Sequence, residues 1–167
     1  MKVSVIMPYF DKKEFVEASI HSVLSQTFEN FEIIIIYDDT SQDDFKFIKD
    51  FEKLDNRIKV LKNINNIGAG RSRNKGIEFS EGEYVAFLDC DDIWYKNKLK
   101  EQLEFMICND YEISFTSYDI IENKGNKIGS RKATKVLFYK DLIKSCDVGL
   151  STVIIKKKIL DSKDYKF

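Results

Sequence analysis

Tyr84-Val85-Ala86-Phe87-Leu88-Asp89-Cys90-Asp91-Asp92 is an apolar run that breaks abruptly into three carboxylates. A continuous apolar run of this length suits a strand buried on both faces, as in a parallel sheet. Acidic residues directly after it then stand at the strand's carboxyl end, the edge where open α/β sheets bind ligands. Asp89 and Asp91, two residues apart, can turn toward one point and offer the hard oxygen ligands that Mg²⁺ or Mn²⁺ prefers. Crowded carboxylates are costly unless a cation neutralises them. The competing interpretation is an Asp-rich helix N-terminus, stabilised by the helix dipole. A lone Asp-x-Asp triplet leaves both open.

Upstream of this run the chain alternates strands and helices. Val3 to Met7 is a short strand stopped by Pro8, the only proline, and Tyr9-Phe10-Asp11 leads into a helix. Asp11 and Glu14 have capping-box spacing, and Val16, Ile20, Val23, Leu24 and Phe28 recur at helical period. Phe31 to Tyr37 is a second buried strand with Asp38-Asp39-Thr40-Ser41 at its end. Those residues suit a helix cap, and a carboxylate there could equally accept a base N–H such as uracil N3–H. Phe45, Ile48, Phe51 and Leu54 mark a second helix, and Ile58 to Leu61 a third strand. Asn66 to Gly76 mixes glycine with Arg71, Arg73 and Lys75, as a phosphate-facing loop would, and Arg71 to Phe79 can wind into a helix. Its spacing fits neither a P-loop nor a dinucleotide fingerprint.

Downstream, a helix from about Asn97 buries Leu99, Leu103, Met106 and Ile107. Glu112 to Tyr118 and Val153 to Ile155 are expected strands, Gly125 to Gly129 a turn and Tyr139 to Lys144 a short helix. His21, the lone histidine, belongs to no metal cluster. Trp94 is expected in the core, and Cys90, raised in pKa by its acidic neighbours, is an unsuitable nucleophile.

At 167 residues the chain suits one domain, given roughly 100 to 200 residues per domain. With 43% hydrophobic and 33% charged residues it has material for a core and no disorder signature. No apolar run approaches the roughly 18 residues of a membrane span, so neither leader nor anchor is expected. Three cysteines without metal spacing fit a reducing, cytoplasmic setting. Residues 120–167 carry 12 Lys+Arg against 5 Asp+Glu, whereas residues 1–119 carry 15 against 23. That basic end is an ordinary solvated surface or a contact with an anionic membrane.

The order of five blocks resembles the family 2 glycosyltransferases of GT-A fold, inverting enzymes of bacterial polysaccharide and lipopolysaccharide assembly. Val3 to Phe10 looks like the family's opening strand, with Asp11 where Asn is commoner. Ser22 to Phe28 is similar to its first helix end. Asp38-Asp39-Thr40-Ser41 is similar to Asp-Asp-Gly-Ser, and Asn66 to Gly76 to its Asn-x-Gly through Ala-Arg-Asn-x-Gly segment, with Ser72 replacing Ala. Gly82-Glu83-Tyr84 through Asp92 looks like its Gly-Glu-Tyr strand and DxDD.

The resemblance implies a Rossmann-like, mostly parallel sheet flanked by helices, with a small mixed C-terminal part. Residues 1–92 would form the nucleotide-binding half and residues 93–167 the start of the acceptor side. It further implies a nucleotide-diphospho-sugar donor, UDP-sugar foremost, with Pro8, Phe10, Asp38, Asp39, Gly68, Arg73 and Asp89 in its site. Asp39 would take the uracil, Arg73 the base or phosphates, and Asp91 with Asp89 nearby would hold Mn²⁺ or Mg²⁺. The acceptor would be a glycan or lipid-linked, possible membrane contact would be peripheral, and no nucleic acid is expected. The catalytic base is expected beyond Phe167, in a continuation of a truncated domain. Two alternatives stand beside this: a nucleotide-sugar-binding domain without transfer, and a Mg²⁺-dependent phosphatase, whose nucleophilic Asp normally follows the first strand rather than the fourth.

Overall fold

The computed structural model describes residues 1–122, 125–133, 136–138, 140, 148–161 and 167. The elements in chain order are β1 (Val3–Tyr9), α1 (Lys13–Leu24), β2 (Phe31–Tyr37), α2 (Gln42–Asp50), β3 (Ile58–Lys62), α3 (Ala69–Phe79), β4 (Tyr84–Phe87) and α4 (Lys98–Cys108). They continue with β5 (Ile113–Ser114), β6 (Tyr118–Ile121), β7 (Lys127–Arg131), β8 (Ile154–Lys156) and the short α5 (Lys157–Leu160). Six strands form one sheet in the order β3-β2-β1-β4-β8-β5. The first four run parallel, and β8 enters antiparallel between β4 and β5. β6 and β7 make a separate antiparallel hairpin. This is the mostly parallel sheet with a mixed second half that the sequence predicts.

All seven residues of β2 are buried, which explains its unbroken apolar run. Helices cover both faces. Val16 and Ile20 of α1, Ile48 of α2 and Leu103 of α4 share one core with Val5, Met7 and Ile35. Ile77 of α3 packs with Ile6, Val85 and Phe87 on the other. Gly76 lets α3 lie close, since a Cβ there would sit 2.5 Å from Ile6 Cγ2. At the amino ends of the strands, Glu32 is buried. It accepts from the Ser4 hydroxyl (2.7 Å) and the Glu81 N–H (2.8 Å), with Lys2 and Lys59 as cationic neighbours.

The structure corrects five local expectations. Ile107, expected on the buried stripe of α4 with Leu99, Leu103 and Met106, is exposed: it lies one residue past Met106 on the helix, and the last turn presents it to solvent. β1 continues through Pro8 to Tyr9. The Pro8 carbonyl receives the Cys90 thiol, so its nitrogen faces the β4 side, where the register ends at Ile6 opposite Phe87 and no ladder N–H is needed. Asp11 is no helix cap: it takes a left-handed turn (φ 46°) and donates its N–H to Asp39, and α1 follows Lys12 without a side-chain cap. The single strand expected over Glu112–Tyr118 is two strands, β5 and β6, that belong to different sheets. Of the turn expected over Gly125 to Gly129, only Gly125 (φ 82°) and Asn126 precede the strand, since β7 begins at Lys127. Apart from Lys140, the helix expected over Tyr139–Lys144 lies outside the described residues. Among the described residues, no helix is long and apolar enough to cross a membrane.

Candidate functional site

The strand order reverses at β1: the chain moves outward to β2 and β3, then returns to place β4 on β1's other side. In open α/β sheets such a switch point leaves a crevice beyond the carboxyl ends of the strands. Here the crevice is a cleft of about 580 Å³. Pro8 and Phe10 follow from β1, Asp38 from β2, Gly68 and Arg73 from the start of α3, and Asp89 and Asp91 from β4. These seven predicted residues, distant in sequence, line one cavity. Asp39 stands beside it, tied to the Asp11 N–H at 2.9 Å.

The paired aspartates differ in environment. Asp38 is buried, and its carboxylate accepts from the N–H groups of Ile67 and Gly68 and from the Asn63 amide, each at 2.8 Å. It therefore anchors the loop that delivers α3, at the positive end of that helix. Gly68 meets this carboxylate in a left-handed conformation (φ 85°) that favours glycine. Asn63 also donates to the Ser72 hydroxyl at 3.0 Å, and Lys75 donates to the Asn63 side-chain carbonyl at 2.8 Å. Asp39 instead accepts from the Thr40 and Ser41 N–H groups at the surface turn, while Ser41 itself caps α2 by accepting from Asp44 N–H.

Two of the three carboxylates in the acidic cluster are paired with cations of the protein. Arg73 donates to Asp89 at 2.5 Å, and Lys12 pairs with Asp91 at 3.0 Å. Its hydrogen bond and attraction to Asp91 raise the Lys12 pKa. Burial, with a smaller contribution from the charges of Asp89 and Asp91, pushes the Asp92 carboxyl up against an opposing hydrogen bond from Ser151. Ser151 also accepts from the Asp89 N–H at 3.1 Å, so the turn after β4 is held from the other half of the chain. Cys90 is buried, and burial ahead of its acidic neighbours raises its thiol pKa, in line with an inert thiol. Trp94 is in the core, donating its indole N–H to the Ser151 carbonyl at 2.8 Å, and His21 lies on the exposed face of α1.

Among the described residues, no three His, Cys, Asp or Glu side chains converge as a closed metal cage. The donors that do face the cleft are carboxylate oxygens. Asp91 is 41% exposed in its side chain, with a surface lysine as its counter-charge. Such a set fits an ion like Mg²⁺, which takes one or two carboxylates and completes its shell with water and substrate phosphate. Sequence reasoning missed Lys12: nothing near it signals a partner 79 residues away.

The chain is similar to known proteins along nearly its whole length. The model of the family described as "Glycosyl transferase family 2" matches residues 4–163. It is 38% identical over 165 residues to UDP-Glc:alpha-D-GlcNAc-diphosphoundecaprenol beta-1,3-glucosyltransferase WfgD of Escherichia coli, covering 99% of this chain and 64% of that protein. A putative teichuronic acid biosynthesis glycosyltransferase of Bacillus subtilis, TuaG, is 38% identical over 157 residues, covering 93% of this chain and 62% of its own length. The fold matches the crystal structure of S. aureus TarS 1-349 in complex with UDP, with a TM-score of 0.79, 27% identity, all of this chain and 50% of that one covered. The chain thus spans under two thirds of these relatives, and it belongs to glycosyl transferase family 2.

Proposed function

We propose that the cleft binds a nucleotide-diphospho-sugar, UDP-sugar foremost, and that the protein transfers the sugar with inversion to a glycan or lipid-linked acceptor. The observation that carries this reading is the convergence of Pro8, Phe10, Arg73 and the Asp89–Asp91 pair on one cleft at the switch point, with Asp39 beside it. WfgD, whose name specifies a UDP-Glc donor and a diphosphoundecaprenol acceptor, and the UDP complex of TarS support it.

In this reading Asp39 accepts the uracil N3–H at the rim, with Pro8 and Phe10 lining the nucleoside. Asp38 acts at one remove by holding the loop at Gly68. Arg73 shares its guanidinium between Asp89 and the nucleotide; among the described residues its Nε has no hydrogen-bond partner. Asp91, with Asp89 nearby, would hold Mn²⁺ or Mg²⁺. A bound divalent cation supplies stabilisation of the negative charge that builds on the leaving diphosphate. Lys12, which pairs with Asp91 at 3.0 Å, would be available to the phosphate oxygens of the donor if a cation held Asp91 in its place. The base that deprotonates the acceptor hydroxyl lies outside the described residues in this reading. Membrane contact, where the acceptor is lipid-linked, would be peripheral.

Thermal unfolding with UDP, GDP and dTDP, each with and without Mn²⁺, tests the proposal. Ligand at a hundred times its Kd adds about 2.7 kcal/mol to stability. At about 2–4 °C per kcal/mol for a chain of this size, that is a rise of roughly 5–11 °C. UDP with Mn²⁺ is expected to give it. No response to any of the three nucleotides would refute donor binding.

A further inference from the structure

Beside the donor cleft, the start of α4 carries an unusual pair of side chains. Lysines normally bury their stem and keep the ammonium in water. Lys98 does the reverse: the residue is only partly buried, yet Nζ is out of solvent contact and has no hydrogen-bond acceptor among the described residues. It lies over the Trp94 ring, 3.8 Å from the centroid. One aromatic face recovers part of a cation's lost hydration but leaves its three N–H groups unsatisfied. Burial accordingly lowers its pKa well below the usual lysine range.

One turn on, Gln102 shows the complementary defect. Its amide nitrogen donates to the Ser114 hydroxyl and the Thr152 carbonyl, both at 2.9 Å, while Oε1 is buried without a donor among the described residues. Residues four apart share a helix face. Buried polar side-chain atoms nearly always find partners, so an orphan donor and an orphan acceptor on one face point to a partner from outside.

Two clefts meet there. One, of about 780 Å³, is bordered by Lys98, Gln102, Phe105 and Phe115. The other, of about 380 Å³, runs from Lys98 past Trp94 to Asp92 and Ser151, and so reaches the acidic cluster. Thr116 and Ser117 border both. Apolar walls with a few convergent polar groups are the usual make-up of a small-molecule site.

We propose that Lys98 and Gln102 form an acceptor subsite for a sugar unit bearing an acidic group, carboxylate or phosphate. On binding, the Lys98 side chain swings off the Trp94 ring into the cleft it borders, so that its ammonium pairs with the acid, and a neighbouring hydroxyl donates to Gln102 Oε1. The word acceptor rests on the transferase reading above; the anionic-sugar site itself does not.

Trp94 is the only tryptophan, so its fluorescence reports directly on the face Lys98 occupies. The 167-residue chain is titrated at constant ionic strength with glucuronate, glucose 6-phosphate, inorganic phosphate and glucose. A saturable change with glucuronate or glucose 6-phosphate, and none with glucose, is expected, and the acid that saturates first identifies carboxylate or phosphate. Lys98→Met should weaken that binding at least tenfold, whereas Lys98→Arg, which keeps the charge, should stay within threefold. Lys98→Met should melt at or above the wild-type temperature, since it removes a buried polar group that has no acceptor among the described residues; if it fails to fold, the Arg variant and the ligand series still decide. An unresponsive Trp94, equal affinity in Lys98→Met, or inorganic phosphate binding as well as glucose 6-phosphate overturns the proposal. UDP binding is measured in parallel by calorimetry. UDP binding without sugar-acid binding sinks this subsite alone, and the converse supports it while sinking the donor assignment.

Discussion

Replacing Asp38 by Asn tests whether that carboxylate is a scaffold for the donor cleft. The substitution keeps shape and removes charge. In the wild type Oδ1 accepts from Asn63 Nδ2 and Ile67 N–H, and Oδ2 accepts from Gly68 N–H. An asparagine has one acceptor oxygen. With that oxygen in the Oδ1 position, its NH₂ faces the Gly68 N–H, donor against donor. One hydrogen bond to a charged group is lost, worth about 1.5–3 kcal/mol, and a buried N–H is left unsatisfied at a further cost of about 1 kcal/mol or more. The sum is about 3 kcal/mol, from a total stability of order 5–15 kcal/mol for a domain. At about 2–4 °C per kcal/mol, the melting temperature should fall by roughly 6–12 °C. Differential scanning calorimetry measures this, and UDP affinity of the folded fraction should fall too, because Gly68 and the start of α3 are displaced together. A variant melting within about 2 °C of wild type would refute the reasoning, since it would mean the three donors are satisfied without a carboxylate.

Three further outcomes are expected. Asp39→Asn should leave stability within about 1 kcal/mol, because asparagine also suits an exposed turn, but weaken UDP binding by about 10- to 100-fold, the range for a hydrogen bond to a charged acceptor; calorimetric titration checks this. Gly82→Ala should destabilise by about 1–3 kcal/mol or more through overpacking, because its Cβ would meet the backbone Lys2 O at 2.8 Å and Ser4 N at 2.7 Å; urea unfolding measures the loss. Two carboxyls at the amino ends of the strands should make the protein acid-sensitive. Lys2 and Lys59 hold the Glu81 carboxyl at about 2. Burial raises the Glu32 pKa, but hydrogen bonds from Ser4 and the Glu81 N–H, with Lys59 and Lys2, outweigh it, and the net direction is down. Both carboxyls bind protons more weakly in the folded chain than in the unfolded one, so their stabilisation is complete above about pH 4.5 and declines as pH falls toward 2. The urea midpoint should drop across that window, and less steeply in Glu32→Gln; equal slopes would show that Glu32 takes no part.

The five motif blocks were legible because each carries a local signal: apolar runs of strand length, helical periodicity, and acidic residues where a strand stops. Partners across the fold left no such signal. Asp11 at capping-box spacing with Glu14 is a sound local inference, yet the chain must turn sharply between β1 and α1, and its N–H is taken by Asp39. Glu112 to Tyr118 reads as one strand because propensity does not register where a sheet edge ends. Lys12 and Lys98 look like ordinary surface lysines until their neighbours are known. One meets Asp91 across the cleft and the other is pressed onto Trp94.

Local pattern alone therefore determined the class of fold and the carboxyl-end position of the candidate site, since both follow from the alternation of strand and helix and from polar residues at strand ends. Tertiary structure decided which member of each acidic pair is free. Asp38 and Asp39 are chemically identical and adjacent, but the alternation of side chains along an extended chain turns one inward, onto three buried donors, and leaves the other at the rim. Desolvation and hydrogen bonding, which depend on groups brought in from elsewhere in the chain, separate their roles.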